Sequence, residues 1–108
     1  MANALDDVQA TYSMVNQKYN LLRLACQNDT QRQLLGAQYA NAQAAYLSCI
    51  GKMLADDDAA VALLSTQLKS ANAVVAQSVT QMGDMSRVID NITQAVTLGA
   101  QLVTAARL

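Results

Sequence analysis

Three kinds of side chain in this sequence could do chemistry: two cysteines, four tyrosines and eight acidic residues, all of them aspartate. Cys26 and Cys49 could form a redox pair or offer soft ligands to zinc. On one helix they stand roughly 34 Å apart, at 1.5 Å rise per residue. Breaking that helix near Asn28 still leaves Cys49 roughly 28 Å along the returning segment. A disulfide needs Cα atoms within about 7 Å, so a bridge within the chain is excluded and only one between chains remains. Zinc would have to use the two thiols plus aspartates far away in sequence, which is not the spacing of a compact site. Both cysteines therefore read as small buried hydrophobes.

The aspartates cluster once, at Asp56-Asp57-Asp58. Three adjacent carboxylates could hold a divalent cation, but they lack the Asp/Asn-Gly-Glu spacing of a calcium loop, and consecutive side chains diverge on a turn. The plainer reading is a helix cap, because negative charge suits the positive end of a helix starting at Ala59. Tyr12, Tyr19, Tyr39 and Tyr46 form two pairs seven residues apart. Rings that stack on single-stranded nucleic acid need basic neighbours; these lie on apolar stripes and read as core or rim packing, their hydroxyls within reach of the many Gln and Asn. Met14, Met53, Met82 and Met85 could form an adaptable binding surface, though Met82 and Met85 fall in phase with the core.

The missing residue types exclude more. There is no His, Pro, Trp, Phe or Glu. Without His there is no general base of the usual kind and no Ser-His or Cys-His pair; without Glu and His the di-iron sites of helical bundles are unavailable. Gly36, Gly51, Gly83 and Gly99 are isolated, so no phosphate-cradling loop occurs. The expectation is a protein that is not an enzyme and takes no cofactor or metal.

The chain's 108 residues are 53% hydrophobic and 14% charged, with a net charge of −1, against roughly 25% charged residues in ordinary domains. This is one domain's worth of polypeptide. Lys18, Arg23, Arg32, Lys52, Lys69, Arg87 and Arg107 are scattered, so neither nucleic acid nor an anionic membrane finds a basic patch. No secretory signal is visible, and the expected location is cytoplasmic, signal-less secretion being left open. The longest weakly polar stretch, Ala95 to Ala106, falls short of the roughly 20 residues of a membrane span.

The elements that must position these residues are helical throughout, given abundant Ala, Leu and Gln and no Pro. From Val61 through Leu64, Leu68, Ala71, Val75, Ser78, Met82, Met85, Ile89, Ile92, Val96, Gly99 and Val103 to Ala106, steps of three and four alternate without a slip. That is a coiled-coil-like pattern, and Val74, Val88, Ala95 and Leu102 widen it toward what a multi-helix bundle uses. In the first half Leu5, Val8, Tyr12, Val15, Tyr19, Leu22 and Cys26 keep heptad phase, Asp29 and Gln33 interrupt it, and Gly36, Ala40, Leu47, Ile50 and Leu54 resume it. A second stripe runs through Leu35, Tyr39, Ala42, Tyr46, Cys49 and Met53. A continuous or kinked helix is favoured over a break at Asn28-Asp29-Thr30, where Thr30 and Gln33 have capping-box spacing.

The sequence thus predicts a single all-α domain over 1–108: helix 3–54, turn 55–58, helix 59–106. Helices of about 48–50 residues, roughly 70–75 Å long, would form an antiparallel hairpin. Residues whose numbers sum to about 113 would face each other, pairing Asp6 with Arg107, Arg23 with Asp90 and, within a turn, Asp29 with Arg87. The same rule sets Gly83 beside the Asn28-Asp29-Thr30 flaw, predicting a kink or polar layer at that level. A lone hairpin leaves an apolar stripe uncovered, so two hairpins are expected to dimerise into a four-helix bundle, or one to pack with a helical partner protein. Ala37, Ala40, Ala44, Ala71 and Gly99 would permit close approach. The interaction seam is Val61, Leu64, Leu68, Val75, Met82, Met85, Ile89, Ile92 and Val96 against Val8, Tyr12, Val15, Tyr19, Leu22, Leu35, Tyr39, Tyr46 and Ile50. The outward faces carry Gln27, Gln31, Gln38, Gln67, Gln77, Gln81, Asn91 and Gln101.

In length, helix count and midpoint turn the chain is similar in design to the small secreted helical hairpins of the WXG100 type. Their Trp-x-Gly turn is missing, since there is no Trp and Gly51 follows Ile50, so no site residue carries over. The functional expectation is a structural or adaptor hairpin acting by self-association or helix–helix binding. The alternatives are an amphipathic protein on a lipid or granule surface, handicapped by the lack of Trp, Phe and a basic flank, or a small secreted WXG100-like hairpin.

Overall fold

Helix-favouring composition is realised along nearly all the described residues, but in pieces half the expected length. The computed structural model describes residues 4–50, 59–81 and 84–105. Among these residues there are four helices: α1 (Ala4–Ala25), α2 (Asp29–Ile50), α3 (Ala59–Gln81) and α4 (Met85–Ala105). The expected helix 3–54 is α1 plus α2, and the expected helix 59–106 is α3 plus α4. Residues 55–58, with the Asp triplet and its proposed cap, lie outside the described residues.

In place of the expected kinks the chain reverses direction, once between α1 and α2 and once between α3 and α4; Gly83 itself lies outside the described residues. At the first, the Cys26 amide donates to the carbonyls of Leu22 (3.1 Å) and Arg23 (3.3 Å), closing α1. Asn28 then caps α2: its Oδ1 accepts the Gln31 N–H at 2.8 Å, while Gln31 Oε1 accepts the Gln27 N–H at 2.7 Å. The reciprocal cap expected from Thr30 and Gln33 is therefore built three residues apart by Asn28 and Gln31 instead, with Asp29 in the favourable first turn. Gln31, expected to face outward, is buried and also donates to Ser86 Oγ at 3.2 Å. At the second reversal Asp84 Oδ1 accepts the amides of Ser86 (3.1 Å) and Arg87 (3.4 Å), capping α4.

Cross-helix partners set the directions. Asp7 meets Ser65 and Lys69, and Thr11 meets Asn72, so α1 and α3 run parallel. Tyr12 stacks on Tyr39 and Tyr46 while Tyr19 stacks on Tyr39, so α2 returns antiparallel to α1. Asn91 reaches back to Ser78 at 2.5 Å, making α4 antiparallel to α3. The result is two short hairpins, α1–α2 and α3–α4, laid side by side with α1 beside α3 and α2 beside α4. Of the two diagonals, among the described residues only α1 and α4 touch. The bundle measures 42 × 21 × 18 Å.

That arrangement explains the sequence stripes. α4 packs against all three other helices, and accordingly Met85, Val88, Ile89, Ile92, Ala95, Val96, Leu102 and Val103 are all buried. In the first half the break resets the phase. The stripe that enters the core of α2 is Leu35, Ala42 and Cys49, flanked by Tyr39 and Tyr46, whereas Ala40 and Leu47 of the resumed heptad face solvent. Of the small residues expected to admit another helix, Ala71 and Gly99 are buried but Ala37, Ala40 and Ala44 point outward.

The expected pair of 70 Å rods, with a stripe left for another molecule to cover, is thus corrected. Each rod folds in half, and the chain closes a four-helix core by itself. Closing a short loop costs far less entropy than recruiting a second molecule, and two good N-caps are available to start the returning helices. The four short helices also depart from the two long ones of a WXG100-type hairpin. The charge pairing changes with them. Asp29 bonds Arg32 within its own helix rather than Arg87, and among the described residues no ion pair joins Arg23 to Asp90. Arg107 lies outside the described residues.

Candidate functional site

The seam residues gather in the one core. Val8, Val15, Leu22, Leu35, Val61, Leu68, Val75, Met85, Ile89, Ile92 and Val96 are buried; Tyr12, Tyr19, Tyr39, Tyr46 and Leu64 pack partly buried against them. Met82 lies outside the described residues, as does the side chain of Ile50. Within a single chain these positions are covered, so a surface for another molecule has to be sought elsewhere.

Between α1 and α3 the core edge is polar. Asp7 is buried, and its carboxylate accepts the Ser65 hydroxyl and, at 2.7 Å, the Lys69 ammonium. Lys69 also donates to Ser65 Oγ at 2.9 Å. One turn on, Thr11 Oγ1 donates to Asn72 Oδ1 at 2.6 Å and Asn72 Nδ2 donates to the Asp7 carbonyl at 3.0 Å. A serine beside a lysine resembles a nucleophile and its base. Here, though, the serine proton points at a carboxylate, the oxygen is buried, and the ammonium is tied into a salt bridge. What the cluster does is fix the register of α1 on α3, since a slip would strand buried polar groups. These residues were legible as polar positions at i, i+4 and i+7 on the edge of apolar stripes (Asp7 and Thr11; Ser65, Lys69 and Asn72), a signal that periodicity of the apolar residues alone passes over.

The tyrosines line the α1–α2 seam as a continuous stack in the order Tyr46, Tyr12, Tyr39, Tyr19. Successive ring centroids are 5.5, 5.9 and 4.6 Å apart, with interplanar angles of 13°, 14° and 24°. Tyr39 donates to Asn16 Oδ1 at 2.6 Å, meeting the expectation that Asn and Gln satisfy these hydroxyls. Its phenol is held above the ordinary range, first by hydrogen bonding with Tyr12, then by burial and by repulsion from Tyr12 and Tyr19.

Cys26 and Cys49 are both buried and outside any disulfide; Cys26 follows the end of α1, and Cys49 lies near the far end of α2, roughly 30 Å along that helix from its start. Burial pushes the Cys26 thiol above its ordinary value, against a smaller opposing effect of Arg32. Small alkylating reagents should therefore modify the native thiols at least about a hundredfold more slowly than those of the urea-unfolded chain. Equal rates would show that the α1–α2 junction opens freely. The linkage has a definite sign. The unfolded thiol loses its proton at a lower pH than folded Cys26, so its contribution is complete below the unfolded value and fades as pH rises through the folded one. Urea midpoints should fall on the alkaline side, less steeply in Cys26→Ala.

Among the described residues no group of three or more His, Cys, Asp or Glu side chains could hold a metal. The outer surface carries large apolar side chains: Leu24 is 82% exposed and Leu21 53% exposed, three residues apart on the outward side of α1, with Leu34, Leu47, Leu63 and Val74 on other helices. Leu24 borders a cleft of about 420 Å³ with Asn20, Arg23 and Arg32. A second groove of about 440 Å³ runs between α2 and α4, lined by uncharged small residues such as Ala44, Ala45, Ser48, Thr97 and Ala100. One described helix segment, Ala59–Thr80, is long and apolar enough to cross a membrane by length and composition, with mean hydropathy 1.2. It is not the stretch Ala95–Ala106 that the sequence singles out as longest and least polar. In this fold the segment sits in the bundle through Val61, Leu68 and Val75 and through its polar bonds to α1.

The chain matches no known protein-family model, and no characterised protein or solved structure is detectably similar to it.

Proposed function

We propose that this protein is a non-catalytic structural or adaptor bundle that works by self-association or by binding a helical partner through its outward apolar side chains. The observation that carries the reading is Leu24, 82% exposed beside the half-exposed Leu21 on one helix face. Scattered single leucines on a surface are ordinary. Two large ones a turn apart, on a chain with only 14% charged residues, are what a helix–helix contact uses as its buried centre. Asn20 and the two arginines Arg23 and Arg32 border Leu24, so a polar and basic rim surrounds the apolar pair.

The test is multi-angle light scattering over a wide concentration range. Wild-type protein should exceed the mass of one chain as concentration rises, and Leu21→Asp with Leu24→Asp should hold it at one chain while leaving helical content intact. A single-chain mass for wild type throughout would count against self-association and leave only a heterologous partner. The apolar segment Ala59–Thr80 supports a second reading, a bundle that opens onto a lipid surface. Flotation with neutral and anionic liposomes separates the two, because the first reading expects no bound protein.

A further inference from the structure

The chain has four tyrosines and neither Trp nor Phe, and all four aromatic rings stand in one stack. We propose that Tyr19 and Tyr39 form an oxidative cross-linking site, joined as dityrosine by a peroxide-driven one-electron oxidant, which staples α1 to α2 within a single chain. Phenols are readily oxidised by one electron, and this chain has no indole to compete for the hole. Contact between rings lets a hole formed on Tyr46 or Tyr12 move along the stack. The Tyr19–Tyr39 pair is the tightest contact, with centroids 4.6 Å apart. All four tyrosines are partly exposed, so an oxidant at the surface reaches the stack without unfolding it. The Tyr19 hydroxyl lies over Gly36, where no side chain intervenes. Tyr39 donates to the exposed Asn16 amide oxygen at 2.6 Å, which provides an exit for the phenol proton toward water.

Each phenol gives up one electron and its hydroxyl proton, leaving a phenoxyl radical. The two radicals couple through ring carbons adjacent to the hydroxyl-bearing carbon, forming one C–C bond. The two ring hydrogens at those carbons then move to the oxygens, restoring both phenols. Hydrogen peroxide takes up the two electrons and two protons and becomes two waters. The chain loses two hydrogen atoms in total and gains a link across the α1–α2 reversal.

The experiment treats dilute native protein with a catalytic haem peroxidase and limiting hydrogen peroxide, with peroxide alone as control, and reads dityrosine fluorescence and peptide mass. The expected product is a single chain lighter by two hydrogens, with the peptides containing Tyr19 and Tyr39 joined. Held in register, the pair should cross-link at least about tenfold more than the same chain in urea. Tyr19→Phe and Tyr39→Phe, which keep a ring in the stack, should each abolish that peptide pair, whereas Tyr46→Phe should leave it within about twofold. Cross-links mainly between chains, equal yields in native and urea-unfolded protein, or a dominant link at another tyrosine pair would each overturn the proposal.

Discussion

Ile89→Asp is expected to unfold the chain. Ile89 is buried on α4, the helix that packs on all three others. Removing its side chain from the core forfeits about 1.5–3 kcal/mol of apolar burial, and an ionised carboxylate in its place has no partner and costs several kcal/mol more. The sum is comparable to the roughly 5–15 kcal/mol that holds a domain together. Had Ile89 faced a second chain, the same change could have left a folded single chain. With the core closed within one chain, loss of helix is the expected reading by far-UV circular dichroism. Gln94→Asp, at an exposed site on the same helix, should shift stability by no more than about 0.5 kcal/mol. A cooperative melt for Ile89→Asp near the wild-type temperature would refute the single-chain core.

The second large effect concerns the polar seam between α1 and α3. Asp7→Ala removes a buried carboxylate that accepts from Ser65 and Lys69. Lys69 is 47% exposed and can turn to water, so the salt bridge itself contributes little after screening. Ser65 is buried and loses its acceptor, so the net cost should be about 2–3 kcal/mol in urea unfolding. Replacing the whole cluster with Asp7→Leu, Ser65→Ala and Lys69→Met should restore most of that loss, because apolar groups of similar size fill the seam without desolvated charge. If Asp7→Ala leaves the urea midpoint where it was, the cluster is hydrated and sets no register.

Much of the fold could be read along the chain, and the misreading has one source. The strict three–four spacing from Val61 to Val103 correctly marks the buried face of both α3 and α4, and that spacing continues through the reversal between Gln81 and Met85. A pattern that stays in phase looks the same whether the chain runs straight or folds back. In the first half the interruption at Asp29 and Gln33 was visible, and so was the second stripe through Leu35, Ala42 and Cys49. Only the break made that stripe the core and left Leu47 outside. Leu21 and Leu24, which carry the proposed contact, fall off every stripe and so leave no periodic signal. The pairing of Asp7 with Ser65 and Asn72, across 58 to 65 positions, depends on which helices become neighbours and has no local signal.

Residue by residue, local chemistry decided that this chain is helical, which side of α1, α3 and α4 is apolar, where the helices can stop, and which reactive groups are lacking. Those are properties of short windows, set by propensity, period and capping. Tertiary structure alone decided that each long apolar stripe would fold onto itself, that α1 would lie parallel to α3, and that every aromatic ring would join one stack. The reason is that helix caps permit a reversal without compelling it. Whether the chain turns back is settled by the free energy of closing a core within one molecule, and that quantity belongs to all four helices together.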